Sequence, residues 1–113
     1  MEVQATAKYI QMSPRKARLV VDMVRGKGAT EALAMLRFVP KAAAKPVSKL
    51  IRSAVANAEE NYGLAADELR IAEITADAGP TLKRGRFGGR GRFKPILKRS
   101  CHLKVVLESE EDF

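Results

Sequence analysis

Apolar and polar residues alternate at the start of the chain and then recur at helical spacing. The alternation over residues 3–10 predicts a strand whose packed face carries Val3, Ala5, Ala7 and Tyr9. Ser13 and Pro14 favour a helix start, because a serine hydroxyl caps free amide groups and proline is preset for the first helical position. A helix is therefore expected over about residues 14–25, with Gly26 at its end. Its inward positions are Ala17, Val20, Val21 and Val24.

Two further helices are predicted from the apolar repeats that follow. A short one begins at Thr30 and ends before Pro40, since proline disfavours helical backbone in the residue that precedes it. A longer one ends at Gly63, and its inward positions are Val47, Leu50, Ile51, Ala54, Val55 and Ala58. Pro46 removes a backbone hydrogen bond inside a helix, so this helix is expected to kink there or to start close to Lys45.

Two strands are predicted on either side of a basic segment in the second half of the chain. Leu69 and Ile71 share a parity that Ile74 breaks, and a β-bulge near Glu73 reconciles them. The last strand is regular, with Cys101, Leu103, Val105 and Leu107 on one side. An antiparallel hairpin whose arms continue from these strands is the simplest connection, with its glycine-rich tip near residues 86–92. At about 3.3 Å per residue, each arm reaches on the order of 35 to 40 Å.

The size of the chain fits a single domain with an appendage. Its 113 residues, 46% of them hydrophobic, are enough for one modest core. We expect a globular body of residues 1–77 plus 100–107, a basic hairpin of about residues 78–99 and an acidic tail of residues 108–113. The apolar runs are too short to cross a membrane and the start of the chain lacks a signal-peptide pattern, so a cytosolic protein is expected.

The excess positive charge lies in the predicted hairpin. Residues 78–107 hold nine Lys and Arg and no acid, whereas residues 1–77 hold twelve basic and nine acidic residues and residues 108–113 four acids. Crowded charge raises the free energy of the isolated protein, and nucleic-acid phosphates compensate it with release of counterions. The alternative is a mobile, solvated basic loop.

A second group of cations lies at the start of the first predicted helix. Arg15, Lys16 and Arg18 oppose the helix macrodipole there, so their placement does not serve the stability of the helix. A phosphate contact explains it better, and three solvated charges are the alternative.

The residue types of the predicted hairpin favour irregular folded RNA over duplex DNA as its partner. They are arginines with planar guanidinium groups, glycines, and Phe87 and Phe93 with their stacking faces.

Catalytic and metal chemistry has little support in the sequence. One cysteine and one histidine exclude an internal disulfide and a Cys/His zinc cluster. Cys101 and His102 are neighbours on a strand and point to opposite faces, so they are not a nucleophile and its base. The glycine-rich segments lack a Gly-Lys-Ser/Thr motif, and no carboxylate pair stands out. We therefore predict a non-enzymatic chain with no catalytic residue, cofactor, metal or small-molecule substrate.

Several blocks of the sequence resemble one family in order and spacing. They are residues 13–20 (Ser-Pro-Arg-Lys-Ala-Arg-Leu-Val), 25–27 (Arg-Gly-Lys), 54–59 (Ala-Val-Ala-Asn-Ala-Glu), 77–84 and 97–102 (Leu-Lys-Arg-Ser-Cys-His). The chain resembles the bacterial ribosomal large-subunit protein twenty-two family over almost its whole length. The resemblance implies an α+β fold, with three helices packed on a small three-stranded antiparallel sheet and a long protruding β-hairpin. It also implies a cytoplasmic protein of the large ribosomal subunit that binds ribosomal RNA, assists assembly and lines the nascent-peptide exit tunnel with its hairpin.

The resemblance also implies partners and site residues. The partners are large-subunit ribosomal RNA, neighbouring ribosomal proteins and, transiently, the nascent peptide, without a membrane. The predicted RNA-binding residues carried over by position are Ser13, Arg15, Lys16, Arg18, Arg25, Lys27, Lys83, Arg84, Arg86, Arg90, Arg92, Lys94, Lys98 and Arg99. His102, on the last predicted strand, is added to them as an RNA-facing residue. The tunnel-lining tip is Arg86, Phe87, Gly88, Gly89, Arg90, Gly91 and Arg92, where relatives commonly have Pro-Arg-Ala in place of Phe87, Gly88 and Gly89. The alternative function is a free-standing single-stranded nucleic-acid binder that uses an Arg-Gly arm.

Overall fold

The computed structural model describes residues 2–87, 89–91 and 93–109, and at positions 84, 86, 87, 90 and 93–96 it describes the backbone alone. Five strands and three helices lie in this part of the chain: β1 (Glu2–Ile10), α1 (Pro14–Val24), α2 (Ala29–Leu36), α3 (Ala44–Tyr62), β2 (Leu69–Ala78), β3 (Leu82–Phe87), β4 (Phe93–Lys98) and β5 (Cys101–Ser109). There are also two 3₁₀ turns in this part of the chain. Ala66–Glu68 directly precedes β2, and Gly89–Gly91 lies at the hairpin tip. None of the described helices is both long and apolar enough to span a bilayer.

The body is an antiparallel sheet covered by the three helices. The strand order is β1-β5-β2, so the C-terminal strand lies in the centre. The core forms where α1 packs on β2, α3 packs on β1 and β5, and α2 packs on α3. Its largest fully buried side chains include Ile51, Ile71, Ile74, Leu103 and Leu107. The predicted α+β class, with helices on a three-stranded antiparallel sheet, is confirmed.

The helix boundaries follow from local capping. The hydroxyl of Ser13 accepts a hydrogen bond from the Lys16 N–H at 3.4 Å, so α1 begins at Pro14 as predicted. The first turn of α3 contains Pro46, where no intrahelical partner is needed, so the helix starts beside Lys45 without a break. It ends at Gly63, whose φ of +66° lets the following N–H groups bond the last turn.

Both outer strands of the sheet are irregular, and one irregularity was not predicted. The register of β2 shifts between Ile71 and Glu73, which confirms the bulge near Glu73. In β1 the register also shifts, between Ala7 and Ile10. Tyr9 lies in this shift with a φ of +59° and is 64% exposed, so its predicted place on the packed face is wrong. The extra residue reverses the alternation, because each residue added to a strand moves the next side chain to the other face.

The hairpin is a separate two-stranded ribbon. β3 pairs with β4 from Leu82 opposite Lys98 to Phe87 opposite Phe93, and the ribbon lengthens the molecule to 63 × 26 × 20 Å. The prediction of arms continuous with β2 and β5 is wrong, because the ladder stops at Gly79 and Ser100, where one backbone hydrogen bond of 3.0 Å joins the two connections. Ala78, placed in the hairpin by the sequence, therefore ends β2.

The predicted acidic tail is partly strand. Glu108 and Ser109 belong to β5, where Glu108 lies opposite Glu2 on one side and Arg70 on the other. The carboxylate of Glu108 accepts a hydrogen bond from Arg70 at 3.3 Å, and this ion pair joins the two strands. The boundary at residue 108 is therefore wrong, and residues 110–113 lie outside the described part of the chain.

Candidate RNA interface

The cations at the start of α1 differ in what they contact. The side chains of Arg15 and Lys16 are exposed and have no hydrogen bond or ion pair with the described residues. Arg18, by contrast, donates from Nε to the backbone oxygen of Ala76 at 3.0 Å. Arg18 therefore ties α1 to β2, whereas Arg15 and Lys16 leave their charge to solvent at the positive end of the helix dipole.

Arg25 and Lys27, at the other end of α1, also have contacts within the body. Arg25 donates to the backbone oxygen of Ile74 at 2.9 Å and to the carboxylate of Asp22 at 2.6 Å. Lys27 is half-buried, and its ammonium group lies 3.9 Å from Glu31. Both residues thus contribute to the fold, and their predicted RNA contacts remain predictions.

Four of the predicted RNA-binding residues meet at one groove. This junction groove, of about 1270 Å³, lies between the β1–α1 loop, the loop that joins α2 to α3 and the base of both hairpin arms. Ser13, Lys16, Lys98 and Arg99 line it, although more than 80 residues separate the first two from the last two. The side chains of Lys98 and Arg99 are exposed and, among the described residues, have no internal partner.

Sequence reasoning missed one cation of this groove. Lys41 lines the groove from the loop between α2 and α3, and its side chain is exposed. The sequence offered only a weak signal for it, namely a lysine directly after Pro40 and just before an uncapped helix start. Its place beside Lys16 depends on the packing of α3 against β1, which links segments far apart in the chain.

The hairpin brings its cations together through its register. Arg86 lies opposite Lys94, and Arg84 lies two positions nearer the body opposite Ile96. Two like charges at directly opposite positions destabilise a ribbon in water, so this register favours a surrounding of anions. Lys83, opposite Leu97, is exposed and has a contact within the protein. Of the tip, Gly88 and Arg92 lie outside the described residues, and Gly89, Arg90 and Gly91 form the 3₁₀ turn.

His102 has a structural contact on the open side of β5. Its Nδ1 accepts a hydrogen bond from the Tyr9 N–H at 3.1 Å, and the two rings pack edge to face with centroids 5.0 Å apart. The residue is half-buried beside the hairpin junction, so its predicted contact with RNA remains a prediction.

Cys101 is fully buried in the core, as its apolar parity predicts. Burial raises the pKa of its thiol, and the charge of Arg18 opposes this effect more weakly. A thiol with a raised pKa is a poor nucleophile at neutral pH. The described residues contain no cluster of three or more His, Cys, Asp or Glu suited to a metal ion.

Comparison with known proteins assigns the chain to a family. Residues 5–108 match the family described as ribosomal protein L22p/L17e. The chain belongs to this family. It is 51% identical over 108 residues to large ribosomal subunit protein uL22 of Clostridium novyi, covering 96% of this chain and 97% of that protein. It is 48% identical over 111 residues to the uL22 of Desulfitobacterium hafniense, covering 98% and 97% respectively. A uL22 from a Synechococcus strain is 50% identical over 111 residues, covering 98% of this chain and 90% of that protein.

Membership settles the coarse function. The family comprises structural, non-enzymatic ribosomal proteins of the large subunit, which in bacteria lies in the cytoplasm. The resemblance predicted from the sequence blocks is thereby confirmed, as are the non-enzymatic class and the cytoplasmic location. The match covers nearly the whole body and both arms of the hairpin, and it favours a ribosomal protein over a free-standing nucleic-acid binder.

Proposed function

We propose that the chain binds ribosomal RNA of the large subunit, anchoring through the junction groove and placing its hairpin among RNA segments. The hairpin then brings RNA segments together during assembly. Its tip forms part of the wall of the nascent-peptide exit tunnel and contacts the peptide transiently, while the body also contacts neighbouring ribosomal proteins. The observation that carries this proposal is a set of exposed cations that have no partner within the described residues: Lys16, Lys41, Lys98 and Arg99, which line the junction groove, and Arg15, which precedes Lys16 at the start of α1.

The charge and shape of the hairpin support a role among phosphates. Eight basic residues lie between positions 83 and 99 without one acid, and Arg86 lies opposite Lys94. An isolated two-stranded ribbon is marginally stable in water, so its order depends on what surrounds it. Phosphate backbones on both sides compensate the repulsion and supply the missing contacts.

The division between anchor and hairpin predicts which charges incorporation needs. In the double variant Arg15→Glu with Lys16→Glu, two carboxylates replace exposed cations that have no internal partner, so the fold is retained while phosphate attraction becomes repulsion. We expect this variant, tagged and expressed in a bacterial cell, to shift from the large-subunit peak of a sucrose gradient to the free fractions. Arg18 is left unchanged because it bonds Ala76.

A matched variant controls for the change in net charge. Lys49→Glu with Arg52→Glu alters the charge equally at two exposed positions of α3 outside the junction groove, so it should stay in the large-subunit peak. Equal incorporation of both double variants, with native circular dichroism, contradicts anchoring by the start of α1.

A further inference from the structure

The junction groove is lined by several large apolar side chains that are exposed to solvent. Four exposed large apolar side chains line it: Tyr9, Leu19, Leu82 and Leu97. Among the residues whose side chains the structure describes, Met23, Phe38 and Tyr62 are the other exposed large apolar ones, and they lie outside the groove. Apolar residues gathered in one concave site mark a binding surface, whereas scattered ones are ordinary.

The charged side chains that line the same groove are all of one sign. Lys16, Lys41, Lys98 and Arg99 line it, and none of the described Asp and Glu residues does. Cations in one groove with apolar side chains complement a nucleotide, whose phosphates are anionic and whose base has two flat, sequence-independent faces. A second copy of this chain is a poor occupant, because two grooves of the same charge repel each other.

Tyr9 lines the groove from an unusual backbone conformation. Its φ of +59° is uncommon for any residue other than glycine. The hydrogen bond from its N–H to His102 and the edge-to-face packing of the two rings keep it there, with the ring 64% exposed. Strain that the surroundings maintain while leaving an aromatic ring uncovered is typical of a functional position.

We propose that the junction groove binds an unpaired nucleotide of the RNA, with its base against Tyr9 and the leucines and its phosphates against Lys16, Lys98 and Arg99. The inference rests on the proposed RNA binding and adds that the RNA presents a base displaced from its helix. Bases splayed out of irregular RNA stack on aromatic side chains in this way.

The test compares three RNAs that differ at one nucleotide. The full chain is titrated with an RNA duplex bearing a single adenosine bulge, with the same duplex bearing an abasic nucleotide at the bulge, and with the fully paired duplex. We expect the adenosine bulge to bind about tenfold more tightly than the abasic bulge, because one stacked base contributes about that much. Tyr9→Ala and Leu19→Ala should each lower this ratio towards one.

Controls separate the groove from general binding. Phe38→Ala removes an aromatic ring that is 84% exposed outside the groove and should leave the ratio unchanged. Leu19 is an exposed helix position, so its alanine variant retains the fold even if the Tyr9 variant does not. Equal affinity of the wild type for the adenosine and abasic bulges overturns the inference and leaves the proposed RNA binding intact. An acidic peptide is titrated as a fourth ligand, and tighter binding of this peptide than of the bulged RNA also overturns the inference. Failure to bind any of the three RNAs counts against the proposed function instead.

Discussion

The arginines at the two ends of α1 show that one residue type serves two purposes in a basic protein. Arg18 and Arg25 reach backbone oxygens of β2, at Ala76 and Ile74, across a separation of about fifty residues. Arg15, three positions before Arg18, has no such acceptor among the described residues. A guanidinium that satisfies a carbonyl at the edge of the core holds the helix against the strand, whereas one in open solvent is available for a phosphate.

This difference predicts that the same substitution lowers the stability of the protein at one position and leaves it nearly unchanged at the other. Arg18→Met keeps the apolar stem but removes the donor to Ala76, so the free energy of unfolding should fall by about 1 kcal/mol. Arg15→Met removes no internal contact and should change it by less than about 0.5 kcal/mol. Urea unfolding of both variants, followed by circular dichroism, measures the difference. Equal values for the two variants contradict the structural role of Arg18.

The sequence could not distinguish these arginines. Their place at the wrong end of the helix dipole pointed to phosphate for all three cations at the start of α1. The acceptor of Arg18 is a backbone carbonyl of a strand 58 residues away, and backbone carbonyls have no signature in a sequence. Lys41 was missed because its place in the groove depends on packing between distant segments, whereas Lys16, Lys98 and Arg99 were predicted as RNA-binding residues from charge pattern and family resemblance.

At the scale of elements, the connection between body and hairpin is closely packed. Ser100 donates from its hydroxyl to the Pro80 oxygen at 2.7 Å, and the Gly79 N–H donates to the Ser100 oxygen at 3.0 Å. A Cβ at Gly79 would lie 2.7 Å from the Ser100 hydroxyl oxygen and 3.1 Å from Cε1 of His102. Glycine at position 79 therefore allows the two connections to pack closely where the ladder is interrupted.

A methyl group at position 79 should destabilise the folded protein. Gly79→Ala is expected to lower the free energy of unfolding by about 1 to 3 kcal/mol, as overpacking does elsewhere. Adding Ser100→Ala removes the nearest clashing atom and should recover part of the loss, measured as the coupling in a double-mutant cycle. Gly89→Ala, where a new Cβ meets nothing within 4 Å, is the matched control and should be nearly neutral. A neutral Gly79→Ala would show that the junction yields without cost.

Elements whose ends depend on local chemistry were predicted well. Ser13 and Gly63 set helix ends through contacts within a few residues, and the bulge near Glu73 was visible as a change of parity. The irregularity at Tyr9 was not visible in the sequence, because the alternation of apolar and polar residues around it fits a regular strand. The register shift there depends on pairing with β5. The break between sheet and hairpin was hidden in the same way, since strand signals lie on both sides of it.

At the scale of the whole molecule, the body and the hairpin differ in both charge and shape. The body is compact and largely balanced in charge, whereas the ribbon extends away from it and carries most of the excess. The three-part division followed from composition, since apolar periodicity ends where the basic run begins. The junction groove did not follow from composition, because it forms from the β1–α1 loop, residues 41–43 and the base of both arms.

Shortening the ribbon tests the proposed anchoring role separately from the proposed tunnel role. Replacing residues 85–95 by Asn-Gly joins Arg84 to Ile96, which already lie opposite each other, through a two-residue turn suited to a hairpin. The junction groove and the cations at the hairpin base are retained, so we expect this variant to enter the large-subunit peak nearly as well as the wild type. A stalled nascent peptide carrying a photo-crosslinker should attach to the wild-type chain but not to the shortened one.

The opposite pattern would reverse the assignment of roles. If the shortened chain sedimented free while the Arg15→Glu and Lys16→Glu variant stayed in the subunit, the tip would be the anchor. Retention of the nascent-peptide cross-link by the shortened chain would place the peptide against another part of the protein. The two readouts are independent because incorporation depends on phosphate contacts summed over the groove, whereas the cross-link depends on the reach of one ribbon. Loss of the cross-link at unchanged incorporation therefore identifies the tip as the peptide-facing segment.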